Sequence, residues 1–384
     1  MIRKKLITLL LCLSFPAAAA PPLPEIESES YILMDADTGV VLAEKNPDLR
    51  LPPASLTKIM TAYAGFKAIS EGRAELQQQV RVSRNAWAQS VAGSKMFLEV
   101  DTDVRIEELL RGIIIQSGND ASIALAESLV GDEAAFAQWM NEQAEKLELK
   151  NSHFVNATGL PDEQHYSSAR DMALLVRRTV LDFPDFYKMY AEPEYTYNNI
   201  RQENRNGLLD SFAGADGVKT GYTKAAGYCL AASAVRNGQR LISVVMKTAS
   251  IRKREIASSK LLAYGFNHFK QERPFDDKKT RKLPVAEGVE KMVTAKPTVP
   301  VLMTIERGQK VKALFHPVTP LIAPINKDMV VGFIEISVDN AVVGTVTVAA
   351  VTDVAAVGRF KRWADIAKSY FSGDKDHDFV LSEW

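Results

Sequence analysis

Ser55 and Lys58 form a Ser-x-x-Lys tetrad at the start of a predicted helix, and this pair could carry out covalent catalysis. A spacing of three residues places both side chains on one face of a helix. A serine hydroxyl is a poor nucleophile until a base takes its proton, and a lysine is such a base only when its amine is neutral. The pattern alone is weak evidence, because it also occurs at Ser250–Lys253 and Ser372–Lys375.

Two further motifs distinguish the first tetrad from the others. Ser117–Asn119 (Ser-Gly-Asn) begins 62 residues after Ser55, between two predicted helices, and Lys219–Gly221 (Lys-Thr-Gly) begins 102 residues later, in a predicted strand. Each of these tripeptides occurs once in the chain. A serine and a lysine on one helix, an S-x-N loop and a K-T-G strand, in this order, form the site of serine enzymes that penicillin acylates. We therefore expect one site built from the three motifs.

The sequence around these motifs matches a known enzyme family over residues 28–270. The matching stretches are Leu51–Thr61, Gly93–Leu98, Gln116–Ala121, Ser167–Leu174, Asn204–Leu209, Asp216–Thr223 and Lys260–Phe266. Through them the chain resembles the type-5 low-molecular-mass penicillin-binding proteins, the D-alanyl-D-alanine carboxypeptidases. The resemblance implies an α+β catalytic domain of the penicillin-binding-protein and β-lactamase type, with helices around an antiparallel sheet. A small all-β domain and a C-terminal amphipathic helix would follow it.

The resemblance also implies an activity and assigns roles to residues. The enzyme would remove the terminal D-alanine from peptidoglycan stem pentapeptides through an acyl-enzyme on Ser55, without metal or cofactor, and β-lactams would acylate it. Lys58 corresponds to the proton acceptor, and Ser117 to the relay that passes a proton toward the leaving amine. The residues assigned to substrate binding are Asn119, Lys219, Thr220, Gly221, Tyr222, Arg205 and Arg254.

Within that set the resemblance gives more detail. Asn119 would hold the substrate amide and Lys58, whereas Lys219 would keep Lys58 unprotonated and bind the substrate carboxylate together with Thr220. The backbone N–H groups of Ser55 and Tyr222 would form the oxyanion hole.

Three of these residues have an alternative interpretation or depart from the family. Arg205 and Arg254 match family arginines near the carboxylate, and a structural ion pair is a nearly equal alternative for both. Tyr222 departs from the family, in which a histidine often follows K-T-G. Any contribution of that histidine to the pH response or to deacylation is therefore in doubt here.

Other functions could use the same residues. A β-lactamase of class A needs an additional glutamate for deacylation, and no convincing E-x-x-x-N element lies between Ser117 and Lys219. Endopeptidase activity on cross-links would use the same site with a different leaving group, and the sequence leaves it open. A non-catalytic scaffold is disfavoured because all three motifs are intact.

The N-terminus has the pattern of a secretory signal peptide, residues 1–20. Three cations at 3–5 precede the apolar run Leu6–Phe15, and the small residues Ala17–Ala20 follow. This pattern predicts export with cleavage near Ala19 or Ala20, and an uncleaved anchor is the alternative. Cleavage would remove Cys12 and leave Cys229 alone, so the mature chain would form no internal disulfide.

The composition of the 384 residues excludes several classes of protein. With 46% hydrophobic and 24% charged residues the chain is globular. Lys+Arg and Asp+Glu are both 47, so the chain lacks the excess of basic residues that would indicate nucleic acid binding. Two cysteines and five scattered histidines give no disulfide scaffold and no zinc motif, and the histidines are interpreted as structural or surface residues.

The hydrophobic periodicity predicts mixed elements in the first domain, 21–270. We expect a hairpin at Tyr31–Ala43 and helices at 55–70, at 106–147 with two breaks, at 169–181 and at 251–269. Three strands are expected at 218–220, 228–235 and 241–247. A charged linker at 271–282 and a β-rich domain at 283–354 would follow.

The C-terminal segment 355–372 repeats apolar and aromatic residues at three- and four-residue spacing, with cations between them. It is predicted to be an amphipathic helix that lies on an anionic membrane surface, and docking on the β-rich domain is the alternative. The final residues, 373–384, form an acidic tail that we expect to be loose. Together these features predict a peripheral protein on the periplasmic face of the cytoplasmic membrane.

Overall fold

The computed structural model describes residues 22–89, 93–358 and 382–384. These residues form two units, which divide between His268 and Phe269. The predicted signal peptide and most of the predicted amphipathic helix lie outside the described residues.

The strands of the first unit form one central sheet and two short hairpins. The five strands of the sheet are antiparallel and lie in the order β2-β1-β9-β8-β7, so β7 is at an edge. The hairpins are β3–β4 and β5–β6. The strand bounds are β1 Ser30–Asp35, β2 Val41–Lys45, β3 Gln79–Arg81, β4 Asp103–Arg105, β5 Glu194–Tyr197, β6 Ile200–Glu203, β7 Ala215–Thr223, β8 Gly227–Arg236 and β9 Gln239–Thr248.

Helices cover the sheet on both faces. Ile32 and Ile242 belong to the same buried cluster as residues of α1, whereas Leu33 and Leu241 lie against Gly265 of α9. The helix bounds are α1 Thr57–Ser70, α2 Arg84–Gln89, α3 Ile106–Arg111, α4 Asn119–Val130, α5 Glu133–Lys146, α6 Ala169–Asp182, α7 Pro184–Tyr187, α8 Leu208–Ser211 and α9 Ile251–His268. Burial on both faces explains why β8 and β9 are almost continuously apolar.

The predicted α+β class of the first unit is confirmed, and so are the elements at its two ends. The hairpin around Asp37–Gly39, the helix after Pro53 and the final helix lie within a few residues of their predicted bounds. The sequence analysis did not predict the hairpins β3–β4 and β5–β6. Their strands have only three or four residues and are mostly exposed, so they lack a strong apolar alternation.

The second unit is all-β, as predicted, and its strands pair in antiparallel fashion. Six of them form a sheet in the order β11-β12-β16-β15-β14-β17, and β10 pairs with β13. Val293, Ile334 and Val348 are among the fully buried residues of its core. The bounds are β10 Phe269–Glu272, β11 Arg281–Pro284, β12 Met292–Pro297, β13 Met303–Glu306, β14 Val311–Pro317, β15 Val330–Val338, β16 Ala341–Ala350 and β17 Ser382–Glu383.

Two boundaries of this unit differ from the prediction. The segment predicted as a linker, 271–282, contains the end of β10 and the start of β11, and Phe275 between them is buried in the β core. Its charged composition concealed these strands, because backbone pairing needs no apolar side chain. The end of the predicted loose tail is ordered, because Ser382–Glu383 pairs with β14 and the Trp384 ring packs edge-on against Phe315.

Only the first four residues of the predicted amphipathic helix are described. They are not helical, and Val357 N–H donates to the carbonyl of Glu287. In the part of the chain that the structure covers, every helix is too short or too polar to traverse a lipid bilayer.

Candidate active site

Ser55 lies in a single 3₁₀ turn, Ala54–Leu56, that leads into α1. Gly159, whose φ is +82°, packs directly against this turn. A Cβ atom at Gly159 would lie 1.9 Å from the carbonyl oxygen of Ala54, so only glycine permits this approach. Ala54 itself has a φ of 48°, which indicates local strain directly before the nucleophile.

Lys58 lies one helical turn after Ser55 and is almost completely buried. Its Nζ lies 2.7 Å from Oδ1 of Asn119, 2.6 Å from the carbonyl oxygen of Thr158 and 3.3 Å from Oγ of Ser55. The first two partners can only accept hydrogen bonds. A neutral amine has two N–H groups and one lone pair, so these two acceptors leave the lone pair for the hydroxyl proton of Ser55.

The environment of Lys58 favours this neutral form. Burial is the main cause that lowers the pKa of Lys58 from 10.5 to about 7; Asp120 and Glu133 oppose the shift, and the charge of Arg205 adds to it. At neutral pH about half of the molecules would therefore hold a neutral amine. An ordinary surface lysine would be almost fully protonated at the same pH.

Ser117 is placed by an irregular end of a helix. The π-helical segment Gly112–Gln116 follows α3, and Ser117 then takes a left-handed conformation with a φ of 67° before α4 begins. π-helical turns and left-handed residues are frequent at functional sites. The Oγ of Ser117 is buried and makes no hydrogen bond within the described structure. It is therefore free to bond to a bound molecule.

Asp120 fixes the loop that faces this helix end. Its carboxylate accepts from the backbone N–H groups of Met96 and Leu98, while Asn119 N–H donates to the carbonyl of Ser94. The sequence analysis did not assign a role to Asp120. The only indication in the sequence was that Asp120 directly follows the predicted site residue Asn119.

The alternation of β7 sends the K-T-G side chains to opposite faces of the sheet. Lys219 and Gly221 pair with Ala231 and Cys229, which belong to the buried cluster around α1. A Cβ atom at Gly221 would lie 3.0 Å from the carbonyl oxygen of Pro53, so the strand passes close to the Ser55 turn.

The alternate residues of β7 face α9 instead. Thr220 and Tyr222 pair with Leu230 and Tyr228, and Arg254 of α9 donates from Nη1 to the carbonyl of Gly221 at 3.4 Å. The ring centroids of Tyr222 and Tyr228 are 4.3 Å apart. The side chain at the position of the family histidine therefore packs on a cross-strand neighbour, while the residue remains 54% exposed.

Three basic side chains lie near Thr220 without an acidic partner. Neither Lys219, Arg205 nor Arg254 forms an ion pair in the described part of the chain, so a structural ion pair does not explain the two arginines. Burial lowers the pKa of Lys219 well below its usual value, and Lys58 and the two arginines add repulsion. The Nε of Arg254 is buried without a partner. A bound carboxylate would relieve both the repulsion and the missing hydrogen bond.

These residues line one cleft of about 760 Å³. Eight of the ten predicted site residues are in its wall: Ser55, Ser117, Asn119, Arg205, Thr220, Gly221, Tyr222 and Arg254. Lys58 and Lys219 are buried directly behind it. Within residues 22–89, 93–358 and 382–384, no three potential metal ligands of the His, Cys, Asp or Glu type lie close enough together to hold a metal ion.

Several wall residues were not predicted. Thr158, Gly159, Leu160, Tyr228 and Ile251 also line the cleft. Thr158 acts through its backbone carbonyl, for which no side-chain signal exists in the sequence.

Comparison with known proteins gives a consistent answer. Residues 16–250 match the family model described as D-alanyl-D-alanine carboxypeptidase, and residues 269–356 match the model of the penicillin-binding protein 5 C-terminal domain. The chain belongs to the D-alanyl-D-alanine carboxypeptidase family. A relative from Escherichia coli K12, D-alanyl-D-alanine carboxypeptidase DacA, is 41% identical over 360 residues, which cover 88% of this chain and 89% of the relative.

Solved structures of this carboxypeptidase family agree with the fold. Penicillin-binding protein 5 from Haemophilus influenzae superposes with a TM-score of 0.77 at 38% identity, and the match covers 88% of this chain and 99% of that one. Penicillin-binding protein D2 from Listeria monocytogenes, solved in an ampicillin-bound form, gives a TM-score of 0.59 at 29% identity. That match covers 64% of this chain and 100% of the other.

The close approach of Gly159 to Ala54 can be tested by substitution. We expect Gly159→Ala to lower the free energy of unfolding by about 1–3 kcal/mol more than Gly72→Ala does. Gly72 is the matched control, because its φ is +69° but nothing lies within 4 Å of a Cβ placed there. Chemical denaturation of both variants measures the difference. Equal losses of stability would show that the contact with Ala54 carries no constraint.

Proposed function

We propose that the protein is a serine-type D-Ala-D-Ala carboxypeptidase that removes the terminal D-alanine from peptidoglycan stem pentapeptides. The observation that carries the proposal is the placement, in one cleft, of Ser55 beside a buried lysine amine and of unpaired basic groups around Thr220. The first arrangement activates a nucleophile, and the second binds a free carboxylate. An enzyme that acts at a peptide end needs both.

Acylation uses Ser55 and Lys58. The Ser55 Oγ attacks the carbonyl carbon between the two D-alanines while its proton passes to the lone pair of Lys58 Nζ. The resulting oxyanion accepts hydrogen bonds from the backbone N–H groups of Ser55 and Tyr222, which lie on the 3₁₀ turn and on β7. Gly221 permits the close contact between these two segments.

Collapse of the tetrahedral intermediate breaks the C–N bond. The Lys58 ammonium returns the proton to the leaving nitrogen through the hydroxyl of Ser117, whose Oγ has no other partner in the described structure. Free D-alanine leaves, and a water molecule then attacks the ester on Ser55. Hydrolysis releases the shortened peptide and restores the serine hydroxyl.

Binding of the substrate carboxylate falls to the α9 side of the cleft. Thr220 offers a hydroxyl, Arg254 offers the unpaired Nε and Arg205 adds positive potential, while a bound carboxylate would favour the charged form of Lys219, whose pKa burial lowers. Asn119 binds the substrate amide and also accepts the hydrogen bond from the amine of Lys58. A peptide whose C-terminal carboxylate is blocked would lack the group that these residues bind.

β-Lactams are acyl donors of the same geometry, because they present a strained amide and a nearby carboxylate. Their opening by Ser55 leaves no small leaving group, so the acyl-enzyme persists longer than that of a peptide. The ampicillin-bound relative from Listeria supports this part of the proposal. A β-lactamase function is not favoured, because it would need an additional carboxylate for deacylation. Both acids near Lys58 are already bound by backbone N–H groups: Asp120 accepts from three of them and Glu133 from that of Ala157.

The place of action is proposed from the two termini. Residues 1–20 would direct export, and 355–372 would hold the protein on the periplasmic face of the cytoplasmic membrane. The cations between the apolar positions of the C-terminal segment support attraction to anionic lipid.

The proposed activity has a direct test. We expect the protein to release D-alanine from an acylated peptide ending in D-Ala-D-Ala, and to lose about 100-fold or more in kcat/KM when the C-terminal carboxylate is an amide. Because the amide peptide would release D-alaninamide instead of D-alanine, cleavage of both peptides is measured by chromatography of the shortened peptide, with Ser55→Ala as the inactive control.

The acyl-enzyme is tested on the same preparations. Intact-mass measurement after mixing with penicillin should show one adduct on the wild type and none on Ser55→Ala. Destruction of penicillin without any adduct would indicate a β-lactamase. Neither adduct nor turnover would indicate a catalytically silent relative.

The pKa of Lys58 sets the pH dependence. Because the neutral amine is the base, we expect the rate of penicillin acylation to rise about tenfold per pH unit below pH 7 and to level off above it. Acylation is followed by mass at pH 5–9, with circular dichroism at each pH as the control for unfolding. A flat profile from pH 5 to pH 8 would exclude Lys58 as the base.

Membrane association is tested by flotation with vesicles of anionic and of neutral lipids. We expect the exported chain to float with anionic vesicles only, and a variant ending at Gly358 to remain at the bottom. The matched control lacks only residues 382–384, which pair with β14. Equal flotation of all three proteins would assign the segment to another role.

A further inference from the structure

The loop Phe154–Leu160 contacts the start of α1 at three points. The carbonyl of Thr158 accepts from Lys58 Nζ at 2.6 Å, and the carbonyl of Ala157 accepts from Thr61 Oγ1 at 2.7 Å. Gly159 packs against the Ala54 carbonyl. The position of this loop therefore decides whether the amine of Lys58 has its second acceptor.

His165 holds this loop and α1 together. Its Nε2 lies 2.8 Å from Oγ1 of Thr57, the residue directly before Lys58, and its Nδ1 lies 3.2 Å from the backbone nitrogen of Val155. A backbone N–H can only donate, so Nδ1 accepts and Nε2 carries the proton that goes to Thr57. The ring is 3% exposed and lies edge-on against Phe154.

We propose that His165 is a positioning residue for the base: by bonding Thr57 and Val155 with one rigid ring, it fixes the Thr158 carbonyl against Lys58. One N–H of Lys58 is thereby committed to that carbonyl, and the lone pair remains directed at Ser55. The inference rests on the proposed function, because it concerns the same acylation step.

The electrostatics of the pair support this arrangement. Burial lowers the pKa of His165 to about 4, with Lys58 and His153 adding repulsion and Asp162 opposing it. The charged groups that face Lys58 are Asp120, Glu133, Arg205 and Lys219. The imidazole therefore stays neutral throughout the range in which Lys58 titrates, and a change in the pH profile of a His165 variant reports on Lys58.

Two substitutions separate position from bulk. His165→Gln keeps an N–H donor and an oxygen acceptor in place of the two ring nitrogens, whereas His165→Leu fills the space without either. Without the bonds, the loop can move away from α1 and admit water to Lys58. Hydration removes part of the desolvation that lowers its pKa, so the pKa rises toward 10.5.

We expect His165→Leu to reduce the rate of penicillin acylation at pH 7 by about ten- to hundredfold and to move the acidic limb of its pH profile upward by about one unit. His165→Gln should stay within about threefold of the wild type. Thr57→Val removes the same hydrogen bond from the other side and should behave like His165→Leu. The double variant should lose no more than either single one.

Thr179→Val is the matched control. Thr179 is fully buried in the same unit, and its hydroxyl donates to the carbonyl of Leu175 within α6. This variant should lose thermal stability without changing the pH profile. The rates are measured by intact mass at pH 5–10, with a thermal melt of each variant.

A wild-type rate and midpoint in His165→Leu would overturn the inference. If that variant does not fold, Thr57→Val alone decides, and a wild-type profile there would overturn the inference as well. Failure of the wild type to form any adduct would instead contradict the proposed function and would be seen before any variant is compared.

Discussion

The burial of one amine is the constraint on which the rest of the site depends. Lys58 can take the proton of Ser55 only while it is neutral, and burial is the main cause of its lowered pKa. A buried neutral amine still needs partners for its two N–H groups, and a carbonyl and an amide oxygen supply them. Because Asn119 and Thr158 lie 61 and 100 residues after Lys58, the buried amine has both acceptors only when tertiary folding brings these segments together.

A second constraint is the alternation of side chains along β7, which places neighbouring residues on opposite faces of the sheet. The strand turns Lys219 to the α1 side of the sheet and Thr220 to the α9 side, so one short motif reaches both the proposed base and the proposed carboxylate site. On the buried side, in addition to burial itself, the charges of Lys58 and of the two arginines lower the pKa of Lys219, while the charge of Arg205 contributes to the lowered pKa of Lys58. In the proposed function, an incoming carboxylate meets the partnerless Nε of Arg254 and favours the charged form of Lys219. The same basic groups would then act on the base and on the free end of the peptide.

The sequence predicted the parts of this site that reside in side-chain motifs. Ser55, Lys58 and the K-T-G strand were predicted as one site because the three motifs follow one another in the order typical of serine enzymes that penicillin acylates. The Thr158 carbonyl was not, since any residue offers the same group. The S-x-N motif predicted Ser117 itself but not its left-handed backbone conformation, because only tertiary contacts fix such a conformation. Likewise β10 and β17 lie in charged segments, where backbone pairing leaves no apolar pattern.

The histidines show most clearly why a site needs its structure. By sequence, His165 was one of five scattered rings without a motif, and a structural role was the reasonable interpretation. The structure keeps that interpretation, since the ring is buried and its two hydrogen bonds go to Thr57 and Val155, neither of which lines the cleft. One of these bonds, however, holds the residue directly before Lys58, so the proposal gives a structural residue a part in catalysis. The bonds that hold the loop also determine the hydration of Lys58, so packing and chemistry are here one property of the same ring.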